Sequence, residues 1–322
     1  MSVLVFAENW DGKFKKITFE LLSYSVKVAE MLNTSAIALT LGKVQEGELE
    51  KLKSYGVKKL IHVADEPLNQ LDNKVYTEVI AEVAKKEQST VIILSNNNTG
   101  KALAPRLSVL LKAGLGAGVN SLPLSVDPFV IIKKVFSGNA VARVALKTGI
   151  KILTLAQNSF ELIENKMDAP VETLSLQTVS TVQTRIREIQ KQTGKILLTD
   201  AEIVVSGGRG MKSPDNWGPL VELAGLLGAA TACSRPVSDE GWRPHDEHTG
   251  QTGKIIAPNL YFAIGISGAT QHLAGVSSSK YIVAINSDKD APIFEAAQYG
   301  IVGDALKVLP KLVEAVKVVK GK

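Results

Sequence analysis

The chain has 322 residues, of which 45% are hydrophobic and 21% charged, and its formal net charge is +5. This composition is that of a globular protein and excludes the disordered, collagenous and disulfide-scaffold classes. A single cysteine, four histidines without metal-ligand spacing and a small, dispersed positive charge indicate neither a disulfide, nor a zinc site, nor a nucleic-acid partner.

Apolar segments of strand length alternate with helix-period segments through the first 112 residues. The predicted strands are at 3–7, 36–41, 59–63 and 90–94, and the predicted helices at 14–32, 46–55, 74–86 and 102–112. This alternation predicts βαβ units and a parallel sheet. Three closely spaced strands then follow at 130–135, 141–146 and 150–156, with no room for helices between them. They predict a small antiparallel extension.

A polar stretch at 167–195 is interpreted as an edge strand and linker, which places a domain boundary near residue 190. The expected domains are 1–190 and 191–322. Residues 1–200 contain 25 Lys and Arg against 20 Asp and Glu, whereas residues 201–322 contain 12 of each. The whole positive excess therefore lies in the first part.

In the second part the strand and helix alternation resumes. The predicted strands are at 203–205, 260–266 and 281–285, and a short run follows at 300–302. The predicted helices are at 217–227, 292–297 and 305–319, and the start of another is at 270–274. The expected fold class is α/β, with two domains each built on a mostly parallel sheet flanked by helices. No apolar run approaches the roughly 20 residues of a membrane-spanning helix, and no basic, apolar leader precedes Val3. We expect a cytoplasmic chain that is not embedded in a membrane.

Three strand ends in this part carry small and polar residues, at 206–211, 267–272 and 286–288. In an open parallel sheet such ends lie at the edge where ligands bind. Small residues there let backbone N–H groups reach phosphate oxygens, so a pyrophosphate is the natural ligand. Neither the G-x-G-x-x-G fingerprint nor a P-loop is present. Ser206 and Ser267 are not in a G-x-S-x-G elbow, which disfavours a hydrolase triad.

A long polar segment at 233–254 interrupts the alternation. Long loops in compact domains are usually functional, although a solvated lid or a dimer contact is the simpler interpretation. We disfavour a cation site on its acidic residues, because a loop does not ensure that carboxylates converge. Those residues are Asp239, Glu240, Asp246 and Glu247. We expect His272 to donate a hydrogen bond to a bound ring.

Several motifs of this part, in their order and spacing, carry a family likeness. They are S-G-G-R-G-M at 206–211, C-S-R-P at 233–236, G-Q-T-G-K at 250–254, L-Y-F-A-I-G-I-S-G-A-T-Q-H-L-A-G at 260–275, I-V-A-I-N at 282–286, A-P-I-F at 291–294 and Y-G-I-V-G-D at 299–304. With them the chain resembles the α subunit of electron transfer flavoprotein over nearly its whole length.

The resemblance implies a nucleotide-hydrolase-like first domain that packs on a β subunit, and a Rossmann-like second domain that binds FAD. It implies that the β subunit carries AMP or a second FAD. It also implies a carrier rather than a substrate-converting enzyme. Such a carrier takes electrons from acyl-CoA dehydrogenases of fatty acid β-oxidation and related flavin dehydrogenases to a membrane quinone oxidoreductase.

The resemblance also implies the cofactor-binding residues. They are Arg209, Ser234, Arg235, Thr249, Gly250, Gln251, Thr252, Ser267, Gly268, Ala269, Thr270, Gln271, His272, Asn286, Asp304 and Ala305. In that family the matching positions place Arg209 and 267–272 on the phosphates and ribityl chain, and Asn286 and Asp304 on the adenosine. Arg235, Thr252 and His272 are expected to tune the flavin. Positive charge from Arg235 and from a cationic or donating His272 favours the anionic reduced flavin.

The sequence departs from the family pattern at 242–249, where Trp-Arg-Pro-His-Asp-Glu-His-Thr replaces the usual aromatic, Pro, Asn and Asp run. Three alternatives stay open. One is an electron-bifurcating member of the family, in which a second flavin on the β subunit takes hydride from NADH. Another is a nicotinamide-dependent dehydrogenase, which the missing fingerprint disfavours. The third is a nucleotide-binding module that uses the loop at 96–100.

Overall fold

A computed structural model describes residues 1–136, 140–175, 187–188 and 196–321. The chain forms two compact units, Met1–Ile189 and Gln190–Lys322. Each is built on a mostly parallel sheet flanked by helices, which confirms the predicted α/β class. The predicted linker and boundary fall largely on 176–186 and 189–195, outside the described residues. Within the part of the chain that is described, no helix has the length and apolar character to cross a membrane.

The sheet of the first unit runs in the order β10-β9-β7-β11-β6-β1-β4-β5-β12, with β8 beside β9. Its strands are β1 (Ser2–Phe6), β4 (Ser35–Leu41), β5 (Lys59–Val63), β6 (Ser89–Ser95), β7 (Gly114–Val119), β8 (Ser125–Val126), β9 (Phe129–Val135), β10 (Ala140–Leu146), β11 (Lys151–Leu155) and β12 (Val171–Leu174), and β2 (Asn9–Trp10) and β3 (Lys13–Phe14) form a separate ribbon. Its helices are α1 (Lys16–Met31), α2 (Glu48–Lys53), α3 (Asn73–Lys86) and α4 (Asn98–Leu111).

Both faces of this sheet are buried, as parallel sheets require. Along β1, Val3 and Val5 belong to the core on one face, whereas Leu4 and Phe6 belong to the core on the other. Polar side chains fix the connections around these cores. Glu20 of α1 is buried, and its carboxylate accepts the backbone N–H groups of residues 158–160 at 3.0, 2.6 and 2.9 Å. A carboxylate thus replaces the water that these loop amides would otherwise need.

The predicted antiparallel extension is correct for two of its three strands. β9 and β10 pair antiparallel, but β11 lies inside the sheet and pairs parallel with β6 and β7. The prediction for 150–156 was wrong because β7 was not recognised. β7 contains Gly114, Gly116 and Gly118, and glycine lowers the propensity for a strand. The chain leaves β7, forms the β9–β10 hairpin and returns to the other side of β7, so strands replace the usual crossover helix.

The second unit contains a five-stranded parallel sheet in the order β14-β13-β15-β16-β17. Its strands are β13 (Ile203–Gly207), β14 (Ala230–Cys233), β15 (Leu260–Ile264), β16 (Tyr281–Asn286) and β17 (Tyr299–Val302). Its helices are α5 (Gly218–Leu227), α6 (Arg235–Asp239), α7 (Thr270–Val276), α8 (Ile293–Ala296) and α9 (Ala305–Val319). The chain goes from β13 to β14 on one side and then to β15 on the other. The strand order therefore reverses between β13 and β15, where ligands bind in such folds.

Candidate cofactor-binding site

A cavity of about 540 Å³ lies at the carboxyl ends of β13, β15 and β16. Its lining is Arg209, Gly210, Ser234, Arg235, Pro236, His248, Thr249, Gly250, Gln251, Thr252, Gly265, Ile266, Ser267, Gly268, Ala269, Gln271, His272, Asn286 and Asp288. All three strand ends selected from the sequence contribute to it. The cavity sits at the reversal of strand order, where two neighbouring strands send their connections to opposite sides.

Glycines bring the turns after β13 and β15 into backbone contact. The N–H of Gly210 donates to the carbonyl of Gly265 at 3.0 Å. A Cβ at Gly210 would lie 2.6 Å from the Cα of Gly265, and one at Gly265 would lie 2.8 Å from the Cα of Gly210. Gly268 has φ +85, and a Cβ there would lie 2.4 Å from the backbone nitrogen of Ile293. Any larger residue at these positions would force the neighbouring backbones apart, so the glycines allow the turns at this end of the sheet to pack closely.

The segment 233–254 forms one wall of the cavity rather than a solvated lid. The backbone N–H of Ser234 donates to the carbonyl of Gly207 at 3.1 Å, and the N–H of Thr249 donates to that of Cys233 at 3.0 Å. Glu247, His248 and Thr249 are only 5%, 2% and 1% exposed. The interpretation as a solvated lid was wrong for these residues, because their backbone pairs with the edge of the sheet.

A charged pair inside this wall fixes its path. Arg243 donates through Nε and Nη2 to the two carboxylate oxygens of Glu247, at 2.8 and 2.7 Å. The guanidinium also lies over the Trp217 ring, 5.7 Å from its centroid, and the same ring packs against Gly207. The hydrogen bonds that Arg243 donates to the Glu247 carboxylate raise the pKa of Arg243. The pair ties the wall to the end of β13 at the segment where the sequence departs from the family pattern.

The four carboxylates weighed as a cation site do not converge. Glu247 is paired with Arg243, and Asp239 is paired with Arg235 at 3.3 Å. Among the residues that the structure describes, no three or more His, Cys, Asp or Glu side chains are grouped so as to hold a metal ion.

Beneath the cavity lies a buried polar cluster. The Tyr261 hydroxyl and Nε2 of His272 are 2.8 Å apart. Burial lowers the pKa of His272 to about 4, with His248 adding to this effect and the Thr249 backbone opposing it. His272 is therefore neutral at pH 7. Of the two states expected from the sequence, the cationic one was wrong, because the sequence does not reveal how deeply the ring is buried.

Cys233 ends β14 next to this cluster and is buried. Burial raises the pKa of its thiol to about 12, and the carboxylate of Glu247 acts in the same direction. At neutral pH the thiol is protonated and is not a nucleophile.

Most of the residues predicted to bind the cofactor line this cavity. Those that do not are Thr270, Asp304 and Ala305. Thr270 begins α7. Asp304 caps α9 by accepting the N–H of Leu306 at 3.0 Å and pairs with Lys212 at 3.1 Å. In this structure Asp304 therefore has an evident structural role, and its predicted contact with adenosine stays a prediction.

Several lining residues were not predicted. They are Gly210, Pro236, His248, Gly265, Ile266 and Asp288. Four of them stand inside the motifs quoted above, so a prediction that took every residue of those motifs would have included them: Gly210, Pro236, Gly265 and Ile266. His248 belongs to the segment 242–249 that departs from the family pattern. The only sequence feature that indicates its place in the cavity wall is its position beside the G-Q-T-G turn.

The lining fits a flavin dinucleotide on three observations. The turn at 267–269 lines the cavity with the small residues Ser, Gly and Ala, which let a diphosphate approach its backbone N–H groups. Arg209 and Arg235 supply positive charge at the cavity. Ile266, Pro236 and the neutral His272 line the cavity and suit an aromatic ring system.

The loop at 96–100 in the first unit is engaged with the protein itself. The Asn97 side chain accepts the N–H of Gly100 at 2.9 Å, which caps α4, and donates to the Glu8 carboxylate at 2.7 Å. These contacts lie at the ends of the neighbouring strands β1 and β6. The position where a nucleotide module would bind its ligand is thus filled by side chains of this chain.

Comparison with known proteins matches both units. The electron transfer flavoprotein domain family matches residues 3–179, and the electron transfer flavoprotein FAD-binding domain family matches residues 197–277. The electron transfer flavoprotein subunit alpha of Thermoanaerobacterium thermosaccharolyticum is 35% identical, over 99% of this chain and 98% of that protein. Its counterparts in Bacillus subtilis and Megasphaera elsdenii are 34% and 35% identical, over 98% and 99% of this chain and 97% of each relative. The chain therefore belongs to the electron transfer flavoprotein α-subunit family and binds FAD.

Proposed function

We propose that the chain works as the FAD-bearing subunit of a heterodimeric electron carrier. It accepts electrons from acyl-CoA and other flavin dehydrogenases and passes them to a membrane quinone oxidoreductase. The observation that supports a carrier is the cavity, which is lined by backbone, arginines and a neutral histidine. In the described wall the Ser238 hydroxyl lies 3.1 Å from Nδ1 of His245, but neither residue lines the cavity, so the pair is not placed to act as nucleophile and base on a ligand there.

FAD, when bound, supplies the one-electron and two-electron chemistry. Arg209 and the backbone N–H groups of the turn at 267–269 would hold its diphosphate. Arg235 supplies positive charge to the opposite part of the cavity. His272 stays neutral and keeps water out of the floor together with Tyr261. We propose that four further residues contact the adenosine and the ribityl chain of FAD: Asn286, Thr270, Asp304 and Ala305.

The first unit is proposed to dock on a β-type partner, which carries AMP or a second FAD. The support is twofold. The relatives are named as alpha subunits, and the first unit exposes large apolar side chains, among them Val109, Phe136 and Val141 at 82%, 81% and 62%. The number of flavins per complex separates the two electron routes. One FAD with one AMP supports simple transfer, and two FAD support bifurcation with NADH.

The test is the absorption spectrum of the full-length chain purified with its partner. Bands near roughly 370 and 450 nm are those of oxidised flavin. Arg209→Ala is expected to weaken FAD binding about tenfold or more, because one charge-assisted contact to the diphosphate is lost. Lys280→Ala is the control, since Lys280 is an exposed cation of the same unit that does not line the cavity. Absence of flavin after added FAD, or equal losses in both variants, would contradict the proposed site.

A further inference from the structure

His248 lies where the G-Q-T-G turn folds around a side chain. A methyl group at Gly253 would lie 2.9 Å from Cγ and Nδ1 of the imidazole, and one at Gly250 would lie 3.6 Å from Nε2. The turn closes on the same residue, because the N–H of Lys254 donates to the His248 carbonyl at 2.9 Å. The ring therefore fills the space inside the turn that carries Gln251 and Thr252, two residues of the cavity wall.

The two ring nitrogens of His248 have different surroundings. Nδ1 is buried and has no hydrogen-bond partner among the described residues, although the residue itself lines the cavity. A buried ring nitrogen that lacks a hydrogen-bond partner costs less free energy as an unprotonated acceptor than as an N–H donor, since the acceptor loses only a contact to its lone pair. The neutral ring thus carries its proton on Nε2.

Charged groups of three elements surround the ring. Arg235 and Asp239 belong to α6, His245 lies 5.5 Å away between ring centroids, and His272 lies on α7. Burial lowers the pKa of His248, and His245 and Arg235 lower it further, while Asp239 opposes them. A proton on this ring would place a buried positive charge near the charge of Arg235.

We propose that His248 is a further binding residue of the flavin site: its imidazole holds the turn at 249–254 in shape, and its Nε2–H donates a hydrogen bond to the bound cofactor. The inference rests on FAD occupying the cavity as proposed above. Bound FAD covers the ring and favours its neutral form, so a proton on His248 and FAD compete for the site.

The experiment compares four proteins as full-length chains with the proposed partner: wild type, His248→Ala, His248→Gln and His245→Gln. FAD is titrated into each apoprotein, and the dissociation constant is read from flavin fluorescence between pH 7.5 and pH 5. His248→Ala is expected to bind FAD about tenfold more weakly at pH 7.5, because both the filling of the turn and the donor are lost. His248→Gln keeps an N–H donor and is expected to stay within about threefold of wild type.

The pH profile separates a binding role from a structural one. Wild-type affinity is expected to fall as the pH drops below the lowered pKa of His248, by up to about tenfold per pH unit, whereas His248→Gln, which has no imidazole at this position, stays flat to pH 5. His245→Gln keeps the fall, since it retains the titrating ring. Equal affinity of His248→Ala and wild type, or loss of the pH dependence in His245→Gln instead of His248→Gln, overturns the inference. A wild-type protein that binds no FAD at any pH would instead refute the proposed site itself.

Discussion

Breaking the Arg243–Glu247 pair tests how the cavity wall is held. The Glu247 side chain is 6% exposed and that of Arg243 is 23% exposed, so each charge depends on the other for compensation. Removing one partner of a buried pair costs about 3–5 kcal/mol. Because Arg243 keeps some contact with water, we expect the lower value, about 3 kcal/mol, for Glu247→Met and for Arg243→Met.

Replacing both residues with methionine is expected to cost far less than the sum of the single changes. Methionine is close to glutamate in length, replaces the aliphatic stem of arginine and leaves no uncompensated charge, so the double variant should lose about 1 kcal/mol rather than about 6. The residual loss reflects the contact between Arg243 and the Trp217 ring.

Urea unfolding followed by tryptophan fluorescence measures these changes within the second unit. In a Trp10→Phe background, only Trp217 and Trp242 remain, and both belong to that unit. With a slope of about 2 kcal/mol per M, each single variant should shift the midpoint by about 1.5 M. A double variant that loses as much as both single variants together would refute the reasoning, because the side chains would then stabilise the wall independently.

Three further predictions concern the floor, the first unit and the turn. Because buried His272 is neutral, it should not change the free energy of unfolding with pH above pH 6.5. As the pH falls to 4, about 3 kcal/mol of that free energy should be lost, because the unfolded chain binds the proton more readily. His272→Asn should flatten this dependence of stability on pH, measured by urea unfolding. Glu20→Gln should cost about 2 kcal/mol and speed amide exchange at 158–160, whereas Glu30→Gln at the exposed end of the same helix should change stability by less than about 0.5 kcal/mol; equal effects would contradict the role of Glu20. Gly275→Ala, whose Cβ would lie 2.5 Å from the Gly250 Cα, should weaken FAD binding about tenfold or more, while Gly225→Ala, with open space around it in α5, should bind FAD as wild type does.

The regular elements were predictable wherever local pattern and tertiary role agree. The buried strands β1, β4, β5 and β6 are continuous apolar runs, so composition alone identifies them. β7 and β14 were missed because glycine and alanine dominate them, and their strand state depends on neighbours far along the chain. The position of β11 in the sheet was predicted wrongly because β11 pairs with β7, which had been missed.

The candidate site was predictable where its motifs contain residues that an unusual backbone conformation or a close backbone contact requires. Gly268 needs a left-handed conformation and close approach to Ile293, which only its residue type could signal. The wall at 242–249 was not predictable in this way. Its burial comes from pairing with Cys233 and from the Arg243–Glu247 contact, and neither has a local sequence signature. The neutral state of His272 likewise depends on burial, which a sequence does not show.

The single cysteine offers a practical handle on the second unit. With a pKa of about 12, only about one Cys233 in 100,000 is a thiolate at pH 7, and the side chain is covered. Cysteines introduced at exposed positions can therefore be labelled selectively while Cys233 stays in place. Conversely, alkylation of Cys233 requires the end of β14 to open. The rate of alkylation in native buffer would therefore report how often the second unit opens locally.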